Sequence, residues 1–220
     1  MKTIKLLIIG LTLSLFANGQ TIKIQGGTSI SKLNLEVFDN TAFNNTLIGY
    51  SFFVGMDYFD KKYCNLSSNI GMFRRGGKHD IPAYDENGDP LDWSVTGKIT
   101  LDYVSLNTMI DLKYPIKEKF SPFISVGPRL DYLAASNLIT DAGKEFGIKK
   151  EKINGYENFA FGLLCGAGLR YDISNFQFGV RTDYYVDFTK IAKVNATNLA
   201  EITANTFTIN LTLGYKLNKK

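Results

Sequence analysis

The sequence predicts an all-β fold: an eight-stranded antiparallel up-and-down transmembrane β-barrel with an N-terminal signal peptide. Three observations carry this. Apolar residues alternate with period two in segment after segment, short and long connections alternate strictly between those segments, and the chain opens on an export signal. The 220 residues fit one domain, because all-β barrels reach this length without splitting. With 45% hydrophobic and 21% charged residues, the chain has enough apolar surface to fold. One His and two Cys cannot supply a multi-ligand His/Cys metal centre and argue against a Ser-His-Asp site. No cofactor is expected. A net charge of +4, with no basic cluster beyond Arg74-Arg75, argues against nucleic acid as a partner.

Residues 1–19 read as the signal peptide and residues 20–220 as the barrel domain. Lys2 and Lys5 precede a mainly apolar stretch from Leu6 to Ala17, and small Ala17 and Gly19 flank Asn18 ahead of a cut before Gln20. That stretch is too short for a hydrocarbon core of about 30 Å, which needs about 20 residues. Export permits disulfides. Cys64 and Cys165 nevertheless fall on the apolar parity of their strands and read as small hydrophobes.

The strands follow in order. The first, Ile22 to Ile30, alternates weakly. In the second, Ile48, Tyr50, Phe52, Val54, Met56 and Tyr58 fill every even position. Cys64 to Met72, Ile99 to Tyr114 and Ile124 to Tyr132 supply the third, fourth and fifth. The sixth, Phe159 to Tyr171, is apolar at each odd position; Phe176 to Phe188 is the seventh, and Phe207 to Leu217 alternates without a fault. Short polar turns lie at Asp60-Lys61-Lys62, Pro115 to Lys119 and Ser174-Asn175. Long connections run over about Lys32–Asn45, Gly76–Thr96, Ala135–Asn158 and Thr189–Asn205. The alternation gathers all long connections at one end, as outer-membrane barrels do with short periplasmic turns and longer external loops. Because the first connection is long, both mature termini are expected at the periplasmic side. Asn87-Gly88 is a favoured hairpin pair, so the third and fourth strands should extend outward as one hairpin. A calcium loop starting at Asp85 fails on spacing, since neither Gly nor Glu falls where an EF-hand needs it.

The opposite parity decides which face meets lipid. It carries small polar residues such as Gly49, Ser51, Asn65, Ser67, Asn107, Gly162, Gly166, Asn210 and Thr212. A water-facing strand would carry long charged side chains; small polar ones suit a narrow closed interior. The bulky apolar parity then faces lipid. Tyr58, Tyr114, Phe120, Tyr171, Phe176, Phe178 and Tyr215 lie near the short turns. Tyr50, Phe73, Trp93, Tyr103, Tyr132, Phe159, Tyr184 and Phe207 lie toward the long connections, suggesting two interfacial girdles. On this assignment Leu163→Arg should be poorly tolerated and Gly166→Ser milder, though a tight lumen could resist it. The soluble alternative is a lipocalin-like barrel with its apolar face inward around a ligand.

The inward parity also carries Asp57, Asp111, Lys113, Arg129, Asp131, Arg170, Asp172, Arg181, Asp183, Asp187 and Lys216. A charge held away from water must pair. Arg129, Arg170 and Arg181 lie on three consecutive strands, with Asp131 and Asp183 two residues past two of them. These five are the expected lumen cluster, acting as a salt-bridge plug; a selectivity constriction is the alternative.

The signal peptide, the eight-strand meander, the C-terminal run Phe207-Thr-Ile-Asn-Leu-Thr-Leu-Gly-Tyr-Lys-Leu217 and the stretch from Tyr58 to Gly77 together resemble the PorT-like outer-membrane β-barrel proteins of Bacteroidota. The resemblance spans the mature chain and implies the Gram-negative outer membrane. Some family members are linked to secretion or gliding machinery. The expected function is a non-enzymatic scaffold, adhesion or secretion/assembly component acting through external loops. Its partners would be outer-membrane lipid and other envelope or secretion proteins. A small-barrel lipid hydrolase would need a nucleophile beside His79, and no spacing in the sequence supplies one.

Overall fold

The structure, a computed structural model, describes residues 21–37, 40–43, 45–84, 89–116, 119–141, 147–193 and 201–217. Its strands are β1 (Thr21–Val37), β2 (Asn40–Ala42), β3 (Asn45–Asp60), β4 (Cys64–Tyr84), β5 (Pro90–Lys113), β6 (Phe120–Asp141), β7 (Ile148–Lys152), β8 (Phe159–Ile173), β9 (Phe176–Asp187), β10 (Ala192–Lys193) and β11 (Glu201–Lys216). Eight of them, β1, β3, β4, β5, β6, β8, β9 and β11, pair antiparallel in chain order. The last returns to the first through a ladder from Thr21↔Lys216 to Leu35↔Ile202, which closes the barrel. The expected eight-strand ring is therefore the ring that forms. The short β2, β7 and β10 pair onto β1, β6 and β11 at the end of the long connections.

Alternation sets the wall. Phe52, Gly26, Leu211, Val180 and Leu169 pair in one continuous row across five strands, all on the outward parity. A slip of one residue would turn this hoop into the lumen, so the register is strongly specified. From Phe159 to Tyr171 the outward side of β8 is apolar over about 40 Å along the strand, or about 30 Å along the barrel axis at the usual tilt, which matches a bilayer core. The soluble lipocalin-like alternative requires the reverse arrangement, with an apolar interior; here exposed Ile, Leu, Phe and Tyr cover the outside while Lys, Arg, Asp and Asn are buried inside.

Two expectations change. The first concerns the long connections, which are largely strand. β1 reaches Val37, β4 reaches Tyr84, β5 starts at Pro90 and β6 reaches Asp141. Outside the bilayer the backbone N–H and C=O groups still need partners, and continuing the ladders supplies them. His79 consequently sits within β4, its ring 5.7 Å from that of Phe43, and not in a loop. The Asn87-Gly88 turn lies outside the described residues, but Tyr84↔Pro90 pair on either side of it, so the outward hairpin is present. The signal peptide and the cut before Gln20 also lie outside the described residues.

The second correction concerns the girdles. Phe73 and Tyr103 are fully buried in the lumen, because they share the odd parity of Asn69 and Asn107 on the same strands. Tyr50, Tyr132, Phe159, Tyr184 and Phe207 remain outward near the long connections, as do Tyr114, Tyr171, Phe176, Phe178 and Tyr215 near the short turns. The Trp93 side chain lies outside the described residues.

Candidate functional site in the lumen

Eight strands leave an interior wide enough only for side chains. Toward the short turns, Lys23 of β1, Asp57 of β3, Asp111 of β5, Arg170 of β8 and Arg181 and Asp183 of β9 converge. Lys23 Nζ lies 2.7 Å from Asp57 Oδ1. Arg181 Nε lies 2.8 Å from Asp183 Oδ1, its NH1 3.3 Å from Asp111 Oδ1, and its NH2 donates to Ser125 Oγ at 2.9 Å. Arg170 NH2 sits between Asp111 Oδ2 at 3.4 Å and Asp57 Oδ2 at 3.6 Å. Nearer the rim Lys113 pairs with Asp60, and Lys216 with Asp172 at 2.9 Å.

Above this group an amide ladder crosses the lumen: Gln25 donates to Asn69 at 3.1 Å, and Asn69 to Asn107 at 2.7 Å. A second ionic group follows toward the long connections. Arg129 bonds both Asp131 and Asp187, while Arg75 NH1 lies 2.8 Å from Asp187 Oδ2 and its NH2 3.7 Å from Asp131 Oδ2. The Arg75 guanidinium stacks 4.3 Å from the Tyr103 ring centroid, and that of Arg129 lies 4.9 Å from Tyr185. Both groups balance in sign, as burial demands. Three cations face three carboxylates in the first, and two face two in the second.

Beyond the second group the lumen turns apolar. Leu33, Ile99, Leu101, Ile191, Ile202 and Ala204 pack together, with Phe43, Leu133, Leu138, Ile153 and Tyr156 against them. Here the extended strands build a small core outside the membrane band. Burial within it pushes the Tyr156 phenol above its ordinary pKa.

The five residues named from sequence are therefore split. Arg129 and Asp131 belong to the group near the long connections, and Arg170, Arg181 and Asp183 to the other. Sequence reasoning missed Arg75 and Lys23. The polar parity Asn65, Ser67, Asn69 leads through Phe73 to Arg75, so extending the third strand's alternation by a step or two would have found it; Lys23 lies within the first expected strand, on the inward parity of Gln25, where the weak alternation masked it. Gly166 has no room to spare: a Cβ there would overlap Asp183 Oδ1 and lie 2.7 Å from the Thr182 carbonyl oxygen and 2.8 Å from Ser125 Oγ. The lumen at Gly166 is thus tight enough to resist Gly166→Ser. Cys64 and Cys165 are free thiols, Cys165 on the exposed outer wall.

The lumen is tightly filled. A cavity between Phe53, Asn69, Asn107, Arg181 and Asp183 measures about 10 Å³, room for a single water. An apolar groove of about 580 Å³ lies instead on the outer wall, over Gly26 between Phe52 and Leu211. Pores that select ions place rings of one sign along an open path. The arrangement here offers paired, hydrogen-bonded filling of both signs.

The outer membrane protein beta-barrel domain family model matches residues 16–193. Solved structures similar to the chain include the attachment invasion locus protein Ail of Yersinia pestis, in complex with the heparin analogue sucrose octasulfate. It is 16% identical, with 91% of this chain and 99% of that one covered and a TM-score of 0.45. Neisserial surface protein A is 12% identical over 91% and 100% of the two chains, with a TM-score of 0.45. A major outer membrane protein from Thermus thermophilus is 11% identical over 91% and 100%, with a TM-score of 0.48. No curated protein matches the sequence.

Proposed function

Because the chain belongs to the outer membrane protein beta-barrel domain family, and so to the Gram-negative outer membrane, we propose that it is a non-enzymatic, non-conducting barrel that anchors an external scaffold. The observation that carries this is the lumen: two neutral ion-pair groups and an amide ladder fill it. On this reading the long β4–β5 hairpin is the surface offered to other envelope or secretion proteins. The short-turn end, with Thr21 beside Lys216, is assigned to the periplasm, and residues 1–19 to a signal peptide removed before Gln20. The finer family is that of PorT-like barrels of Bacteroidota, supported by the stretch from Tyr58 to Gly77 and the C-terminal strand. The hydrolase alternative would have to use His79, whose ring is packed on Phe43.

Membrane fractionation with heat-modifiable gel migration tests the barrel: the protein should sediment with outer membrane and migrate faster unheated. Photo-crosslinking from Asp89, beside the hairpin tip, should then capture envelope proteins on intact cells. Crosslinks formed only from the short-turn end would reverse the orientation. Lipid A modification that disappears in His79→Ala would restore the enzyme.

A further inference from the structure

Asn stands directly before Gly at 18–19, 87–88 and 154–155, and Asn154-Gly155 is the pair that lies among the described residues. It belongs to a strap, residues 153–158, that joins β7 to β8 beside the apolar cap. The strap is pinned on both sides of the pair. Before it, Ile153 donates its N–H to the Ser136 carbonyl at 3.1 Å and accepts from Ser136 Oγ at 2.5 Å, with its side chain packed on the cap. After it, Tyr156 packs on the same cap, the Glu157 N–H donates to the Ile191 carbonyl at 2.8 Å, and the Asn158 carbonyl accepts from the Leu133 N–H at 2.8 Å.

Between these pins the two residues are held by nothing but the chain. Both are exposed. Among the described residues neither the Asn154 carboxamide nor the Gly155 N–H makes a hydrogen bond. Gly155 holds φ at +102°, and no atom lies within 4 Å of where a Cβ would stand. Glycine supplies this conformation without steric cost. Covalent connectivity puts the Asn154 carboxamide carbon within reach of the Gly155 nitrogen through a five-membered ring, and no Cβ on Gly155 crowds that approach.

We propose that Asn154-Gly155 is a self-modification site whose conversion loosens the strap. The Gly155 nitrogen gives its proton to water and attacks Asn154 Cγ. The new N–C bond forms as the Cγ–Nδ2 bond breaks, and ammonia leaves carrying a proton returned from solvent. Water then opens the resulting succinimide at either carbonyl. Opening at the side-chain carbonyl gives Asp, and opening at the main-chain carbonyl gives isoaspartate, whose backbone is one carbon longer. The pins give the second product its consequence. The extra carbon falls between Ile153 and Tyr156, so the added length is taken up by displacing the Tyr156 anchor and the bonds of Glu157 and Asn158 beyond it.

The test uses the full mature protein, assembled in the outer membrane and extracted in detergent. It is held in warm, mildly alkaline buffer beside a guanidinium-denatured sample of the same protein. Peptide mass spectrometry follows the amide-to-acid mass gain at Asn154, and isoaspartyl methyltransferase labels the isoaspartate fraction. With no hydrogen bond to break, conversion in the assembled protein should run within about tenfold of the denatured chain. Asn154→Gln should abolish it, and Gly155→Ala should slow it at least about tenfold, since a Cβ then crowds the attacking nitrogen. Hydrogen exchange at the Leu133 and Glu157 amides should rise at least about tenfold as isoaspartate accumulates. Asn154→Asp, which adds the charge without lengthening the backbone, should leave both amides near their starting rates. Conversion slowed by more than about tenfold on assembly, or a rate unchanged in Gly155→Ala, would overturn the site. Exchange that stays constant in the converted protein, or that rises equally in Asn154→Asp, would overturn the loosening. Heat-modifiable migration is recorded for every sample, so that the comparison is made on assembled barrels.

Discussion

At the scale of single residues, the two arginines that look equivalent in sequence are not equivalent in place. Arg129→Ala leaves Asp187 and Asp131 with Arg75 still 2.8 Å and 3.7 Å away. Arg181→Ala strips Asp183 of its 2.8 Å partner, while Asp111 keeps Arg170 at 3.4 Å. Breaking a dry buried pair costs on the order of 3–5 kcal/mol, since an uncompensated charge is left behind. Arg181→Ala should fall in that range, and Arg129→Ala below it. Urea unfolding in lipid vesicles measures both; equal losses would mean that Arg75 does not shield the upper group. A second pair of substitutions tests the two faces of β8. Leu163→Arg places a charge against lipid near mid-strand, at a cost of about 2–4 kcal/mol at the bilayer midplane. Gly166→Ser pushes into the Thr182 carbonyl and the Asp183 carboxylate, so it should cost about 1–3 kcal/mol, as overpacking does. Refolding yields for the two should both drop; a neutral Leu163→Arg would invert the wall.

At the scale of elements, the strands were legible wherever the bilayer enforces alternation. Phe159 to Tyr171 and Phe207 to Leu217 could be bounded closely because one face meets lipid and the other a narrow polar lumen. Legibility stops at the membrane edge. Beyond it both faces of β4, β5 and β6 meet water, loops or a local core, so period two is no longer required, and Gly76 to Thr96 read as a connection. Phe73 and Tyr103 were assigned by their place near strand ends, although their parity already placed them inside. For the same reason the charge cluster was half legible: the residues within clean alternation were found, and Arg75, past the last clean step, was not. The extended hairpin should be separable from the barrel. Asp80 and Thr96 pair in register, so replacing residues 80–96 by a two-residue Asn-Gly turn rejoins His79 to Gly97 without a slip. The shortened chain should still show heat-modifiable migration and membrane insertion, while crosslinks to envelope proteins made through the hairpin disappear. Failure to assemble would show that the hairpin is needed to fold the barrel.

At the scale of the whole molecule, closure and filling together decide what crosses the membrane. The β1–β11 ladder removes every open edge from the ring, so the only path is axial. That path meets the Lys23–Asp57–Arg170–Asp111–Arg181–Asp183 group, the amide ladder, the Arg75–Arg129 group and finally the apolar cap in series. An ion moving along it would have to displace paired guanidinium and carboxylate groups, and then shed its water against Leu33, Leu101 and Ile202. The unmodified protein should therefore show no steady conductance in planar bilayers. Removing Arg129 or Arg181 should lower stability in parallel unfolding measurements without producing a stable open level, because the remaining side chains and the apolar cap still occupy the axis. A large, sustained conductance in the unmodified protein would overturn the plug. A stable conductance that appears only in Arg181→Ala, with unfolding unchanged, would instead identify the lower group as a gate.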